Sequence, residues 1–295
     1  KDLLIRAVDL AKADLMSEMV YEFTELQGLM GYYYAKALGE DNLVSLAIKE
    51  QYMPVGDNAP LPTTLFSALV AIAIKLDTLY GLFSVGQIPT GSRDPFALRR
   101  AVNGIIKTIL HYNVSFDIEQ LSQKLAPIYQ EFDSSKLKEF IFDRVNKLAN
   151  VNPSVVAAVV ASGESDMNEL FKKIEALNAI VEGSDAQELF TTFKRVANIS
   201  KDIATQSDLS VDESLFTQEE ERTLWSKFNV VIGQKYSSYL EKLQALFGLK
   251  ADLDSYFDSV LVNAEDEKLK RNRQHTIASI YKAFRDIADI KEVSI

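Results

Sequence analysis

Apolar residues recur at steps of three and four along much of the chain, the spacing that places them on one face of an α-helix. Three such stripes lie in the first 112 residues: Leu4, Val8, Ala11, Leu15 and Met19; Leu65, Leu69, Ile72, Leu76 and Leu79; and Leu98, Val102, Ile105, Ile109 and Tyr112. The sequence has no sustained alternation with a period of two, which is typical of half-buried strands. The pattern therefore predicts an all-α protein.

Further helices are indicated by the same spacing and by residues that begin or end helices. We expect them at 41–51, 119–126, 134–149, 153–161, 166–181, 185–203, 252–262 and 265–290. The sequence Thr217-Gln-Glu-Glu220 has the form of a capping box, so a long helix should begin there, run through Leu243 and end at Gly248. The inward face of the helix at 185–203 should consist of Leu189, Phe193, Val196, Ser200 and Ile203.

A break in the helical pattern at Glu182-Gly-Ser-Asp185 contains residues that suit the start of a new helix. A chain of 295 residues with a hydrophobic content of 47% can bury a sizeable core and form two domains. We place the boundary at this break, which predicts one domain at 1–183 and another at 184–295.

The segment from Gly81 to Arg100 combines turn residues with a helix start. Pro89-Thr-Gly91 is typical of a turn, and Asp94-Pro95 should open a helix with aspartate as N-cap and proline at the first helical position. Two interpretations are open: a rigid connection between helices, or a site for a phosphate or another anion at the helix N-terminus, near Arg93. Local chemistry favours the connection, because Asp94 would itself occupy that N-terminus.

Three blocks of sequence carry a resemblance to a known family. Residues 75–100 read KLDTLYGLFSVGQIPTGSRDPFALRR, residues 22–35 read EFTELQGLMGYYYA, and residues 256–273 read YFDSVLVNAEDEKLKRNR. The first block closely resembles the signature of the β subunit of bacterial tetrameric glycyl-tRNA synthetase, and the other two agree with that family. The blocks lie in the middle and near both ends, so the resemblance spans the chain. Because the family subunit is longer, we expect this chain to be its C-terminal part.

The resemblance implies a fold and a function. Residues 1–183 would form an HD-like helical domain with a helical extension. Residues 184–295 would form a helical-bundle anticodon-binding domain of the type shared with arginyl-tRNA synthetase. The chain would be the tRNA-binding part of an α2β2 tetramer that attaches glycine to tRNA(Gly) with ATP. Glycine activation would belong to the partner α subunit, and this chain would hold no cofactor and no catalytic residue.

The sequence itself lacks the residues of the obvious catalytic alternatives. A working HD phosphohydrolase needs a His-Asp pair and further ligands for divalent metals. Here Tyr112 follows His111 and Thr276 follows His275; by the family pattern, Gln51 stands where a histidine is common and Ile74 where an aspartate is common. We therefore expect no metal site. No class I synthetase motif of the HIGH or KMSKS type occurs either.

Composition and charge set further limits. The absence of cysteine excludes disulfides and cysteine-ligated zinc and fits a cytoplasmic protein. No run of 18 apolar residues occurs, so we expect no membrane span. The net charge of −10, most of it after residue 112, works against RNA, because phosphates attract lysine and arginine. A non-catalytic helical scaffold or protein-interaction module is therefore the alternative function.

Candidate tRNA-binding residues lie first on the helix that follows the turn. Arg99, Arg100 and Lys107 share a polar face with Asn103, opposite the Leu98 stripe. A solvated helix face and contact with the RNA backbone are equally good interpretations of this pattern.

A second set lies in the predicted C-terminal domain. Lys194-Arg195-Val-Ala-Asn198-Ile resembles the KRxxNI segment of the anticodon-binding domain that arginyl- and cysteinyl-tRNA synthetases share. Lys194, Asn198 and Lys201 would line one helix face, where asparagine can bond a base edge and lysine a phosphate. A structural role, with Asn198 bonded to a neighbouring helix backbone, is slightly favoured.

The densest basic cluster is Lys268-Leu-Lys270-Arg271-Asn272-Arg273. It follows Glu265-Asp-Glu267, so i, i+4 pairing should join Asp266 to Lys270 and Glu267 to Arg271. All four residues from Lys270 to Arg273 are candidates for tRNA contact, and this pairing would leave Asn272 and Arg273 the freest.

Overall fold

The computed structural model of the chain describes residues 1–129, 133–200, 203 and 209–295. In these residues the structure is helical, with 68% in helix and no strand, which confirms the predicted all-α class. This share includes short 3₁₀ turns. The described residues form the following α-helices: α1 Asp2–Asp9, α2 Glu18–Glu22, α3 Leu29–Ala37, α4 Asn42–Glu50, α5 Leu65–Ser84, α6 Leu98–Tyr112, α7 Ile118–Leu125, α8 Ser134–Ala149, α9 Pro153–Val160, α10 Met167–Val181, α11 Ala186–Ser200, α12 Glu219–Gly233, α13 Tyr239–Phe247, α14 Lys250–Ser259 and α15 Glu267–Arg285.

The chain divides into two compact units. The first consists of 1–148 with 166–168, and the second of 149–165 with 169–295. This division differs from the predicted boundary at 183, because most of α10 packs within the second unit. There the buried ammonium of Lys173 donates to the Asp286 carbonyl at 2.9 Å and pairs with Glu164 at 2.8 Å. A break between helices is thus not by itself a division between units.

The core of the first unit is built by α1, α3, α4 and α5. Its buried members are small or branched apolar side chains: Ala7, Ala35, Val44, Ala47, Ile48, Val70 and Ile74. Helix α6 packs on α5 with the predicted stripe, of which Leu98, Val102, Ile105 and Ile109 are buried. The stripe predicted for α6 is therefore confirmed, whereas Leu65 at the start of the α5 stripe is exposed.

Helix α5 is long and apolar enough to cross a membrane by length and composition alone, and it is the only such helix in the described part of the chain. Its most apolar stretch of 18 residues has a mean hydropathy of 1.7, and half of that stretch is buried within the protein. Core helices of this kind have the same composition, because they bury side chains on most of their faces.

The predicted opening helix over Leu4–Met19 is wrong. Helix α1 ends at Asp9, and Lys12 takes the left-handed conformation with φ of 63° before a 3₁₀ turn at Ala13–Met16. Two long-range contacts hold this break. The Lys12 amide donates to Gln51 Oε1 at 2.9 Å, and the buried Asp14 carboxylate accepts from the Gly28 amide. A local stripe cannot show contacts of this kind.

The core of the second unit is an aromatic cluster. Phe193 on α11, Phe247 on α13 and Phe284 on α15 have ring centroids 4.9 Å apart in each pair. Phe190 joins them at 5.2 Å from Phe247. Of the predicted inward residues of α11, Phe193, Val196 and Ser200 are buried, and Leu189 and Ile203 are half-buried.

The long helix predicted from Thr217 through Leu243 is two helices. Helix α12 ends at Gly233, and Ser238 caps α13 by accepting from the Glu241 amide at 3.2 Å. The capping box of α12 also lies one residue later than predicted, with Gln218 as N-cap and Glu221 at the third helical position.

Candidate nucleic-acid interface

The turn around Gly91, in the block that resembles the family signature, is held by hydrogen bonds. Thr90 and Arg93 bond each other through their backbones, with N···O distances of 3.1 and 2.8 Å. Gly91 between them has a φ of 50°, a conformation that glycine adopts without strain. The Arg99 guanidinium donates to the Gly91 carbonyl at 2.7 Å. Arg99, predicted as a tRNA contact, thus braces the turn.

The helix after the turn starts later than predicted. Helix α6 begins at Leu98, and Ala97 before it has a φ of 55°, so Pro95 lies outside the helix. Asp94 still caps the helix, because its carboxylate accepts from the Leu98 amide at 2.8 Å and the Arg99 amide at 3.0 Å. These amides are therefore already bonded to a carboxylate, which argues against the anion-site interpretation.

The polar face of α6 is largely occupied by a loop of the same unit. Asn103 Nδ2 donates to Asp57 Oδ1 at 3.0 Å, and Lys107 Nζ donates to the Asp57 carbonyl at 2.6 Å. The hydrogen bond from Asn103 and the charges of Lys107 and Arg100 hold the pKa of Asp57 below its ordinary value. Arg100 is exposed and has no hydrogen bond to a described residue, so it is the α6 candidate most available to a ligand.

The positions expected for an HD metal site carry other chemistry. Gln51 is fully buried, accepts from the Lys12 amide and donates to the Ile48 carbonyl at 2.9 Å. Ile74 lies in the apolar core. In the described residues no group of three or more histidine, cysteine, aspartate or glutamate side chains could hold a metal ion. The donor set does not fit an HD metal centre.

A half-buried lysine was not identified as a candidate from the sequence. Lys75 Nζ donates to the Met53 carbonyl at 2.6 Å, and burial lowers its pKa to about 8. The apolar residues on both sides of Lys75 in the sequence predict a buried helix, and they could have indicated that this lysine is shielded from solvent.

The shifted pKa of Lys75 predicts a pH-dependent stability. The folded protein loses this proton near pH 8, whereas the unfolded chain keeps it to about pH 10.4, so the free energy of unfolding should rise with pH between these values. Urea unfolding at pH 7.5 and 9.5 should show a gain of about 1–2 kcal/mol. Lys75→Met should lack this gain, and an equal gain in that variant would contradict the assignment.

The candidate residues on α11 differ in exposure. Arg195 and Asn198 are exposed and Lys194 is half-buried, and the Arg195 guanidinium lies 4.2 Å from the centre of the Phe257 ring. Neither Lys194 nor Asn198 has a side-chain hydrogen bond to a described residue, so the backbone bond expected for Asn198 is not seen there. Lys201 lies outside the described residues.

Arg273 and Asn272, predicted to be the freest residues of the basic cluster, are buried, and that prediction is wrong. Arg273 is 6% exposed and donates to Glu221 Oε1, the Leu261 carbonyl and Thr217 Oγ1, each at 2.9 Å. Asn272 bonds the Asp212 backbone, accepting from its amide at 2.8 Å and donating to its carbonyl at 3.0 Å. The donor groups of both side chains are therefore hydrogen-bonded within the second unit.

The sequence did not identify Glu221, the partner of Arg273, because the predicted capping box ended at Glu220 instead of Glu221. Its carboxylate also accepts from the amides of Thr217 and Gln218. Burial acts to raise the pKa of Glu221, but the hydrogen bonds from Arg273 and these amides outweigh it and hold the pKa below its ordinary value.

The rest of the basic cluster pairs differently from the prediction. Lys270 pairs with Glu267 at 3.1 Å, not with Asp266, and Asp266 caps α15 by accepting from the Lys268 amide at 2.8 Å. No ion pair joins Glu267 to Arg271 in the described structure. Arg271 and Lys268 are exposed, and neither forms an ion pair with a described residue.

Comparison with known proteins shows to which class of protein the chain is similar. Residues 1–161 match a family model described as "Glycyl-tRNA synthetase beta subunit". Over its whole length the chain is 45% identical to the glycine–tRNA ligase beta subunit of Helicobacter pylori strain G27 and covers 43% of it. It is 38% identical to that of Pseudomonas fluorescens strain SBW25, with 98% of the chain matched and 44% of the relative covered. These relatives are subunits of a tRNA ligase.

Matches at this identity over essentially the whole chain establish a common family. The chain belongs to the glycyl-tRNA synthetase beta-subunit family. It spans less than half the length of the curated relatives that it matches.

Proposed function

We propose that the chain is the tRNA-binding part of the β subunit of glycine–tRNA ligase and supports ATP-dependent attachment of glycine to tRNA(Gly) in the cytoplasm. Catalysis would lie in the partner α subunit of an α2β2 assembly. The observation that carries the proposal is the 45% identity to a glycine–tRNA ligase beta subunit along all of this chain. The buried Gln51 and Ile74 support it, because they leave the HD-like unit without a metal donor set.

Within this function, the two units would divide the work. The first unit would be the HD-like body, and the second would be the anticodon-binding bundle. The exposed side chains of α11 support the second assignment, since asparagine can bond a base edge while lysine and arginine hold phosphates.

Substitutions on α11 test the assignment in the complete ligase. Lys194→Ala and Asn198→Ala should each weaken binding of tRNA(Gly) about fivefold, as expected for one contact worth about 1 kcal/mol. Filter binding at several salt concentrations would measure this. Pyrophosphate exchange, which reports glycyl-adenylate formation, should stay at the wild-type level, because it needs no anticodon contact.

The control is Lys147→Ala, which removes an exposed lysine from α8 in place of one from α11. Equal binding by all three variants would refute the anticodon assignment. Equal loss of adenylate formation and tRNA binding would instead indicate a general disturbance of the assembly.

A further inference from the structure

The turn at Thr90–Phe96 is ordered and yet exposed. Its backbone is held by the Thr90–Arg93 hydrogen bonds and by the bond from Arg99 to Gly91. The side chains of Ser92, Arg93 and Phe96 are exposed, and none has a hydrogen bond or ion pair to a described residue. The hydrogen bonds of the turn therefore stabilise its backbone, and these three side chains remain exposed to solvent. A surface fixed in advance loses little entropy when it binds a partner.

Phe96 contributes little to the packing of its own unit. It is 50% exposed, whereas Phe83 in the same unit is 3% exposed. Because burial of an aromatic ring is a major source of stability, a phenylalanine held half outside the core contributes little there. Its exposed ring is a flat apolar surface at a fixed position.

Two exposed arginines, Arg93 and Arg100, lie within four residues of Phe96 in the sequence. Arg93 is exposed and forms no ion pair with a described carboxylate, and Arg100 is exposed and interacts with Asp57 only through its charge, whereas Lys107 forms an ion pair with Asp57. Such exposed cations stand out in a chain whose net charge is −10. A guanidinium and an exposed ring on one short turn suit a ligand with phosphates and flat faces, such as an unpaired nucleotide.

We propose that Phe96 stacks on an unpaired base of the tRNA and that Arg93 binds a neighbouring phosphate. This contact rests on the proposed tRNA-binding function and adds to it a second binding surface, in the first unit. An acidic segment of a protein would also pair with Arg93, but it would not require an aromatic plane at residue 96. The two ligands therefore predict different results for a leucine at that position.

Variants of residue 96 separate stacking from simple apolar contact. In the complete ligase, Phe96→Ala should weaken binding of tRNA(Gly) about tenfold, the size expected for loss of one stacked base. Phe96→Leu should be as weak, because leucine has no π-face, and Phe96→Trp should bind at least as well as wild type. The matched control is Phe23→Ala, which removes a phenylalanine of the same unit that is 51% exposed. It should bind like wild type.

Arg93→Ala tests the phosphate contact. It should weaken binding and reduce the slope of log affinity against log salt by about 0.7, the value for one phosphate of a single strand. Arg93→Lys should restore most of that slope. An unchanged slope in Arg93→Ala would overturn the phosphate contact.

Fluorescence of the Phe96→Trp ligase gives a direct readout of stacking. Relative to the parent enzyme, tRNA(Gly) should quench additional emission. No additional quenching by tRNA(Gly), or wild-type affinity in both Phe96→Ala and Phe96→Leu, would overturn this inference and leave the α11 assignment intact. If the wild-type ligase itself failed to bind tRNA(Gly), the proposed function would fall with it.

Discussion

Replacing Arg273 with alanine should lower the free energy of unfolding by about 3–5 kcal/mol, the cost of breaking a buried ion pair by removing one partner. The guanidinium is 6% exposed and bonds Glu221, Leu261 and Thr217. Its loss leaves a carboxylate at 1% side-chain exposure without its counter-charge. Urea denaturation followed by circular dichroism would measure the change.

Two variants control this prediction. Arg271→Ala removes the neighbouring exposed arginine and should change stability by less than about 0.5 kcal/mol. The pair Arg273→Met with Glu221→Gln removes both charges, keeps an acceptor for the Thr217 and Gln218 amides, and should recover most of the loss. A stable Arg273→Ala protein with reduced tRNA affinity would show instead that Arg273 is a ligand-binding residue.

The second large effect is expected at Phe193, at the centre of the aromatic cluster. Phe193→Ala should cost about 3–5 kcal/mol, because it removes a fully buried ring and leaves a cavity between Phe247 and Phe284. The same denaturation experiment measures it.

The contrasting variant is Phe96→Ala, which removes the same side chain from an exposed turn. Its stability should stay within about 0.5 kcal/mol of wild type. Equal losses at the two positions would contradict the burial that separates them, and would also weaken the use of Phe96→Ala as a probe of binding.

Predictions from the sequence were most accurate where neighbouring residues determine the structure. Helices at 134–149, 153–161 and 166–181 were expected within a residue or so of α8, α9 and α10. The Leu98 stripe of α6 was also correct, because a side chain's place on a helix face depends only on its spacing.

Errors arose where a distant residue determines the local structure. The opening stripe from Leu4 predicted one helix, but Gln51 accepts the Lys12 amide and the chain breaks there. In the long helix predicted from Thr217, the end at Gly233 lacked a strong sequence signal. Ser238 is a residue type that suits an N-cap, and in the structure it begins the next helix.

The sequence could not show which of the candidate binding residues are exposed to solvent and which are paired with another residue inside the fold. The cluster from Lys270 to Arg273 is basic throughout, and i, i+4 arithmetic left Arg273 free. The structure buries it on Glu221, which lies 52 residues earlier in the chain. Conversely, Phe96 reads as an ordinary apolar residue, and only the late start of α6 at Leu98 leaves it on an exposed turn.

By itself, the sequence determined the all-helical class, most helix positions and the family, because helical periodicity and motif identity are properties of neighbouring residues. The tertiary structure alone decided which charges are available to a ligand. Availability depends on whether a cation such as Lys107 or Arg273 forms an ion pair with a carboxylate from a distant part of the chain, while Arg93 and Arg271 form none with the described residues. Burying a charge is costly without a partner, so those encounters determine which side chains stabilise the fold and which remain exposed to bind.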